Sequence, residues 1–155
     1  MNNIDEIIKH AEQHCANNGS RLTDKRKQIL SSLVKSNKAI SAYDLIDVCE
    51  EAFGEKIPPM SVYRILDFLE DQNLVHKLNV ANKYVACSNI SCDHVHGVSL
   101  FLICNVCNQV QEQSINQPIT NELKKTVTDS GFTLVKSHLE MRCICNSCLQ
   151  NSSTS

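Results

Sequence analysis

The sequence predicts an α+β chain built as an N-terminal winged helix-turn-helix domain followed by a small α/β domain with a structural four-cysteine zinc site. Three observations predict it. Helical apolar periodicity runs from residue 3 to about residue 73 and gives way to two short strand-like runs. Seven of the nine cysteines stand at or beyond Cys87. Four of those seven form two Cys-x-x-Cys pairs, separated by the 37 residues 108–144. A chain of 155 residues has room for one average domain or for two small ones of roughly 75 residues each.

The elements follow in order. Residues 3–18 place Ile4, Ile7, Ile8, Ala11 and Cys15 on one helical stripe. A second helix opens near Thr23, whose hydroxyl can cap the first N–H groups, and buries Ile29, Leu30, Leu33 and Val34. A third begins at Ser41, where Ser41-Ala42-Tyr43-Asp44 has the form of a capping box with Asp in place of Glu. Its buried face is Ala42, Leu45, Ile46, Cys49 and Phe53. After Pro58-Pro59 a fourth helix runs from Ser61 to about Asn73, with Val62, Ile65, Leu66 and Leu69 inward and Tyr63, Arg64, Asp67 and Glu70 outward. Residues 74–78 and 83–87 then read as a hairpin, which is the order of a winged helix. Beyond a linker come a strand at Leu100–Cys104, a tight turn, and a strand at Gln109–Ser114. A helix follows from Pro118 to Ser130, closed by Gly131, and a last strand spans Phe132–Ile144. The boundaries expected are 1–87, a hinge at 88–99, 100–149, and a disordered tail at 150–155.

Composition narrows the function. An apolar share of 42% with 21% charged residues belongs to a globular chain. Runs such as Leu100–Cys104 are too short to cross a bilayer, and the acidic, amphipathic start does not read as a secretory signal. A cytoplasmic location is expected, with no membrane partner. Nine cysteines cannot all pair within one chain, and a reducing compartment turns spare thiols toward metal. With a net charge of −2, any nucleic-acid contact must come from a local patch.

Cys104 and Cys107 with Cys145 and Cys148 are the strongest signal. Two thiolates two residues apart can grip one ion from a single turn, and two such turns complete a closed tetrahedral zinc site. A redox Cys-x-x-Cys is the alternative, but that motif belongs at a helix N-terminus, and both pairs here are expected to end strands. Neighbouring Cys143 is expected to be non-ligating. A second, looser set comprises His76 on the wing, Cys87 at its end, His94 and His96 in the linker, and Glu112 beyond the first pair. Imidazole, thiolate and carboxylate make a sensible zinc set, and these lie on both sides of the expected hinge.

Arg21, Lys25, Arg26 and Lys27 gather four positive charges near a helix start, either to meet phosphate or as a solvated face. Tyr63 and Arg64 project from the outer face of the helix that would enter the major groove, where Arg can pair with guanine. Tyr43 is a further candidate contact. No HExxH pattern and no nucleophile elbow occurs, so an enzyme is not expected.

Arg21-Leu22-Thr23, Arg26, Ser41–Leu45, the run Pro58–Leu69, Val75-His76-Lys77 and the two Cys-x-x-Cys pairs together resemble the ferric uptake regulator family. The likeness spans about residues 5–149 and is greatest to the family's zinc-uptake branch. It implies a homodimeric repressor with a winged helix and an α/β dimerisation domain, binding a pseudo-palindromic double-stranded operator and no small organic substrate. Two zinc ions per protomer are implied. Cys104, Cys107, Cys145 and Cys148 would hold the structural one. His76, Cys87, His96 and Glu112 would hold the regulatory one, with His94 or Cys92 as substitutes because the His96–Cys104 spacing is one residue longer than in that branch. Arg64 with Tyr43 would contact the operator, and Ser61, Tyr63, Arg26 and Lys25 are further candidates for DNA contact. The iron-sensing branch's His-His-Asp-His run is absent, which points away from iron; a sensor of iron, manganese or peroxide is the alternative, and Cys87 discriminates, because such sensors mostly lack a thiolate there.

Overall fold

The computed structural model describes residues 4–36, 38–79, 82–87, 90, 98–135 and 138–152. The chain divides into two compact units, residues 1–93 and 94–155.

In the first unit four helices precede a hairpin: α1 (Ile4–Asn17), α2 (Asp24–Ser36), α3 (Ala42–Phe53), α4 (Pro59–Asp71), β1 (Val75–Leu78) and β2 (Lys83–Ala86). Helix α3 starts where its cap is, the Asp44 N–H donating to Ser41 Oγ at 3.1 Å. It stops at Gly54, whose φ of 70° is the left-handed conformation that closes helices. Helix α4 begins two residues earlier than expected, because proline is tolerated in a first turn that has no intrahelical N–H bond to lose. Ile29, Leu30 and Leu33 of α2, Leu45 and Cys49 of α3, and Val62, Leu66 and Leu69 of α4 meet in one core. Phe53 is not part of it. The helix ends there and leaves the ring 41% exposed. The hairpin pairs His76 with Val85 and Leu78 with Lys83, and Ile40 bonds both ways with Tyr84, at 3.0 and 2.8 Å, stitching the α2–α3 connection to the wing.

The second unit is a three-stranded sheet in the order β4-β3-β5, from β3 (Ser99–Cys104), β4 (Val110–Ser114) and β5 (His138–Cys143). Strand β3 is antiparallel to β4 and parallel to β5, the parallel connection passing through α5 (Gln117–Asp129). The Asn116 side chain caps α5 by accepting from the Ile119 N–H. Phe101 and Ile103 are buried on one face of the sheet, while Met141 on the other is 54% exposed.

Two expectations are corrected here. The last strand covers 138–143 and not 132–144, because β3 offers only six residues to pair with and all six are matched. Phe132 and Val135 stand in solvent instead, 71% and 96% exposed. The expected tail is helical as far as Ser152, in α6 (Asn146–Ser152).

Candidate metal centre and reading surface

Cys104 closes β3 and Cys107 lies in the turn that follows it, while Cys145 and Cys148 bracket the start of α6. The first turn is held by the Cys104 N–H donating to the Gln109 carbonyl and the Asn108 N–H donating to the Cys104 carbonyl, at 2.9 and 3.0 Å. Asn108 takes a left-handed φ of 62°, a conformation that asparagine accepts more readily than most residues. Parallel pairing places Cys104 opposite Cys143, so the second Cys-x-x-Cys emerges beside the first. The Asn105 N–H donates to the Cys143 carbonyl at 2.9 Å and fixes that approach.

All four sulfurs consequently lie within 4.8 Å of one another. Cys107 Sγ and Cys145 Sγ are 3.8 Å apart, which is the edge of a tetrahedron whose metal–sulfur bonds are about 2.3 Å. The donor set therefore fits one tetrahedral zinc ion with no position left open. Electrostatics agree. The backbone N–H groups of Cys107, Cys145 and Val106 lower the Cys104 thiol to about 6. The side chain of Cys145, then burial, then Cys107 and Cys104 push Cys148 up to about 12. A cation would relieve this crowding of sulfurs by neutralising several thiolates at once. Cys143 is not part of the group of four.

The expectation that both pairs end strands is corrected for the second of them. Cys145 directly precedes α6 and Cys148 sits in its first turn. Position alone therefore does not set redox chemistry aside, and metal binding rests on the convergence of four sulfurs. The Cys145-Asn146-Ser147 sequence, with its Asn and Ser, was the available signal that a helix starts there.

On the wing, His76 lies in the middle of β1, and Cys87 follows β2 with its N–H donating to the Leu74 carbonyl at 2.9 Å. Antiparallel register puts both on one face of the hairpin, and a His76 ring nitrogen and Cys87 Sγ come within 4.8 Å. Glu112 is half-buried on β4, opposite Phe101. Cys92, His94 and His96 lie outside the described residues.

The outer surface of α4 carries Tyr63 and Arg64, both exposed, with Ser61 half-buried and Tyr43 of α3 69% exposed. Met60, which carried no sequence signal, is also in solvent at 65%. The basic cluster at the start of α2 divides. Lys25 is exposed, Lys27 pairs with Glu12 of α1, and Arg26 turns back onto Phe68. Phe68 gave no hint of this contact, since 42 positions separate it from Arg26.

A winged helix with side chains presented from its fourth helix, joined to a sheet unit carrying a four-cysteine cluster that fits zinc, defines a metal-dependent DNA-binding class of protein. The chain belongs to the ferric uptake regulator family, whose description matches residues 17–142. It is 34% identical over 145 residues to the zinc uptake regulation protein of Escherichia coli strain K12, covering 94% of this chain and 82% of that protein. Among solved structures it is similar to a zinc uptake regulator complexed with zinc and DNA, at 32% identity and a TM-score of 0.86, with 99% of each chain covered. It is also similar to the holo form of XcZur, at 31% identity and a TM-score of 0.79, covering 96% of this chain and 99% of that one. Among the described residues, no helix is long and apolar enough to cross a membrane.

Proposed function

We propose that this chain is a zinc-responsive, DNA-binding transcriptional regulator that represses zinc-uptake genes when zinc occupies its regulatory site. One observation carries the reading: a His–Cys pair lies on the wing of the helical domain, so candidate metal ligands and the candidate reading helix share one compact unit. The relatives named above support zinc as the signal, as does ligand softness, because a thiolate beside imidazole favours zinc over manganese.

In this reading Cys104, Cys107, Cys145 and Cys148 hold a structural ion in each protomer. His76 and Cys87, with His96 and Glu112, hold the regulatory one, and His94 or Cys92 would substitute for His96. Bound there, zinc supplies a bridge among ligands drawn from both sides of the hinge. Two copies pair through their second units, a role supported by the exposed Val135 and Met141. The dimer then presents two α4 helices to a pseudo-palindromic operator, which requires them about 34 Å apart or at a multiple of that spacing. Tyr43, Ser61, Tyr63 and Arg64 face the bases and sugar-phosphate edges, and Lys25 meets phosphate. Moving the dimer from about 1:99 to 99:1 in the binding-competent form takes roughly 5.5 kcal/mol of differential metal affinity, within reach of a Cys/His zinc site. The protein acts in the cytoplasm and catalyses no reaction.

A gel-shift titration in buffered free zinc tests this. Cys87→Ser should abolish zinc-dependent operator binding while leaving a folded dimer. A Cys87→Ser protein that still answers to zinc like the parent would remove the regulatory assignment.

A further inference from the structure

Arg26 lies in the charged stretch at the start of α2, where a phosphate contact would need its guanidinium to point into solvent. It does not. The guanidinium carbon is 3.6 Å from the centroid of the Phe68 ring, and Nη1 donates to the Arg21 carbonyl at 2.6 Å. The side chain is half-buried, and so is Phe68. Phe68 belongs to α4, one turn beyond Arg64 and on the same side of the helix. A single side chain thus joins the segment before α2 to the turn of α4 that supports its outward-facing residues.

We propose that Arg26 is a positioning residue, which sets the rotation of α4 and so the aim of Tyr63 and Arg64, and is not itself a phosphate contact. The inference rests on the reading of this chain as a DNA-binding regulator. Elsewhere α4 and α2 share one apolar core, to which Leu66 and Leu69 come from the first and Ile29, Leu30 and Leu33 from the second, and apolar packing of this kind has no directional preference. The guanidinium adds direction in two ways. Its plane stacks on the ring while its edge donates to a fixed carbonyl, a combination that an ammonium cannot reproduce. Aim matters because a helix rotation of about 10° shifts a side-chain tip, some 6 Å from the axis, by about 1 Å. A paired hydrogen bond to a base does not survive such a shift.

The test uses full-length, zinc-loaded protein and a duplex selected by the parent protein from random DNA of about 30 base pairs. Affinity for that duplex and for a scrambled one is measured across a salt series for the parent, Arg26→Lys, Arg26→Gln and Phe68→Leu, together with each variant's thermal midpoint. Arg26→Gln should lose about tenfold on the selected duplex and little on the scrambled one, with an unchanged salt slope. Arg26→Lys should fail to rescue it, although the charge is kept. Phe68→Leu, which keeps apolar volume but removes the ring, should lose a similar factor, and the double variant Arg26→Gln/Phe68→Leu should be no worse than the weaker single. The inference is overturned if Arg26→Gln weakens both duplexes equally and lowers the salt slope by about one, with Arg26→Lys restoring both, which is the mark of a phosphate contact. It is equally overturned if only the thermal midpoint falls while the ratio between the duplexes holds. If the parent protein selects no duplex in a zinc-dependent way, the functional reading itself fails, and that failure is visible before any variant is made.

Discussion

Ile29, Leu30, Leu45, Leu66 and Leu69 of the helical unit are fully sealed from solvent, whereas the sheet unit leaves Phe132, Val135, Met141 and Leu149 more than half exposed. The first unit gathers four helices around one apolar core, and each buried leucine contributes on the order of 2 kcal/mol. Among its described residues the second has little inside beyond Val98, Phe101, Ile103, Cys104 and Thr120. A unit of that size cannot stabilise itself by burial alone, and it carries the four converging thiols. In the proposed reading the contrast separates two sources of stability, side-chain packing in one unit and ligation with surface pairing in the other.

The largest test of that contrast is Cys104→Ser. It should remove the structural ion, and hydrogen exchange should show β3, β4 and β5 unprotected while α2, α3 and α4 stay protected. Loss of protection in both units together would break the comparison. Next, Leu66→Ala should cost about 2–5 kcal/mol in denaturant unfolding of the helical unit without changing zinc content. A shift below about 1 kcal/mol would mean that packing is not what holds that unit together.

A smaller effect concerns protons. Because the Cys104 thiol is lowered from the ordinary value of 9.0 to about 6, chiefly by the Cys107 N–H, its contribution to metal-free stability should be complete above about 9, already reduced at neutral pH, and lost as pH falls through about 6. Cys148, raised to about 12 chiefly by Cys145, stays protonated across neutrality and must lose its proton to solvent in order to bind a cation. Zinc affinity of the sheet unit should therefore rise with pH, by about tenfold per unit for each proton released. Calorimetry in two buffers of different ionisation enthalpy reads the proton count, and a heat independent of buffer would contradict it. Smallest of all, Ser41→Ala should lower helical-unit stability by about 1 kcal/mol through loss of the α3 cap, readable as a shift in denaturation midpoint with zinc binding untouched.

What could be read from the chain beforehand was what local spacing encodes. The Ser41 cap, the inward stripe of α4 and the two Cys-x-x-Cys pairs each lie within a few residues of their partners, so periodicity and ligand chemistry suffice. The overlong last strand shows where this stops. Residues 132–135 are apolar enough for a strand, but a strand needs a neighbour, and the length of β3 decides how much of one is available. Phe53 keeps the helical spacing of a core residue and is exposed because Gly54 ends the helix beside it. Lys27 and Arg26 look alike in sequence as candidate phosphate contacts, yet one meets Glu12 and the other Phe68. No local rule reports contacts of that kind.

The two prolines that open α4 have a consequence for how target preference can change. Positions 58 and 59 lack a main-chain N–H, so two donors that a helix start would ordinarily offer a phosphate are missing there. In the proposed reading, discrimination is left to the side chains of Tyr43, Ser61, Tyr63 and Arg64, and those on α4 stand on a helix whose buried residues lie on the opposite face. Such a surface can be retuned one residue at a time, and lineages carrying it are free to drift toward new promoter sequences without rebuilding the domain beneath.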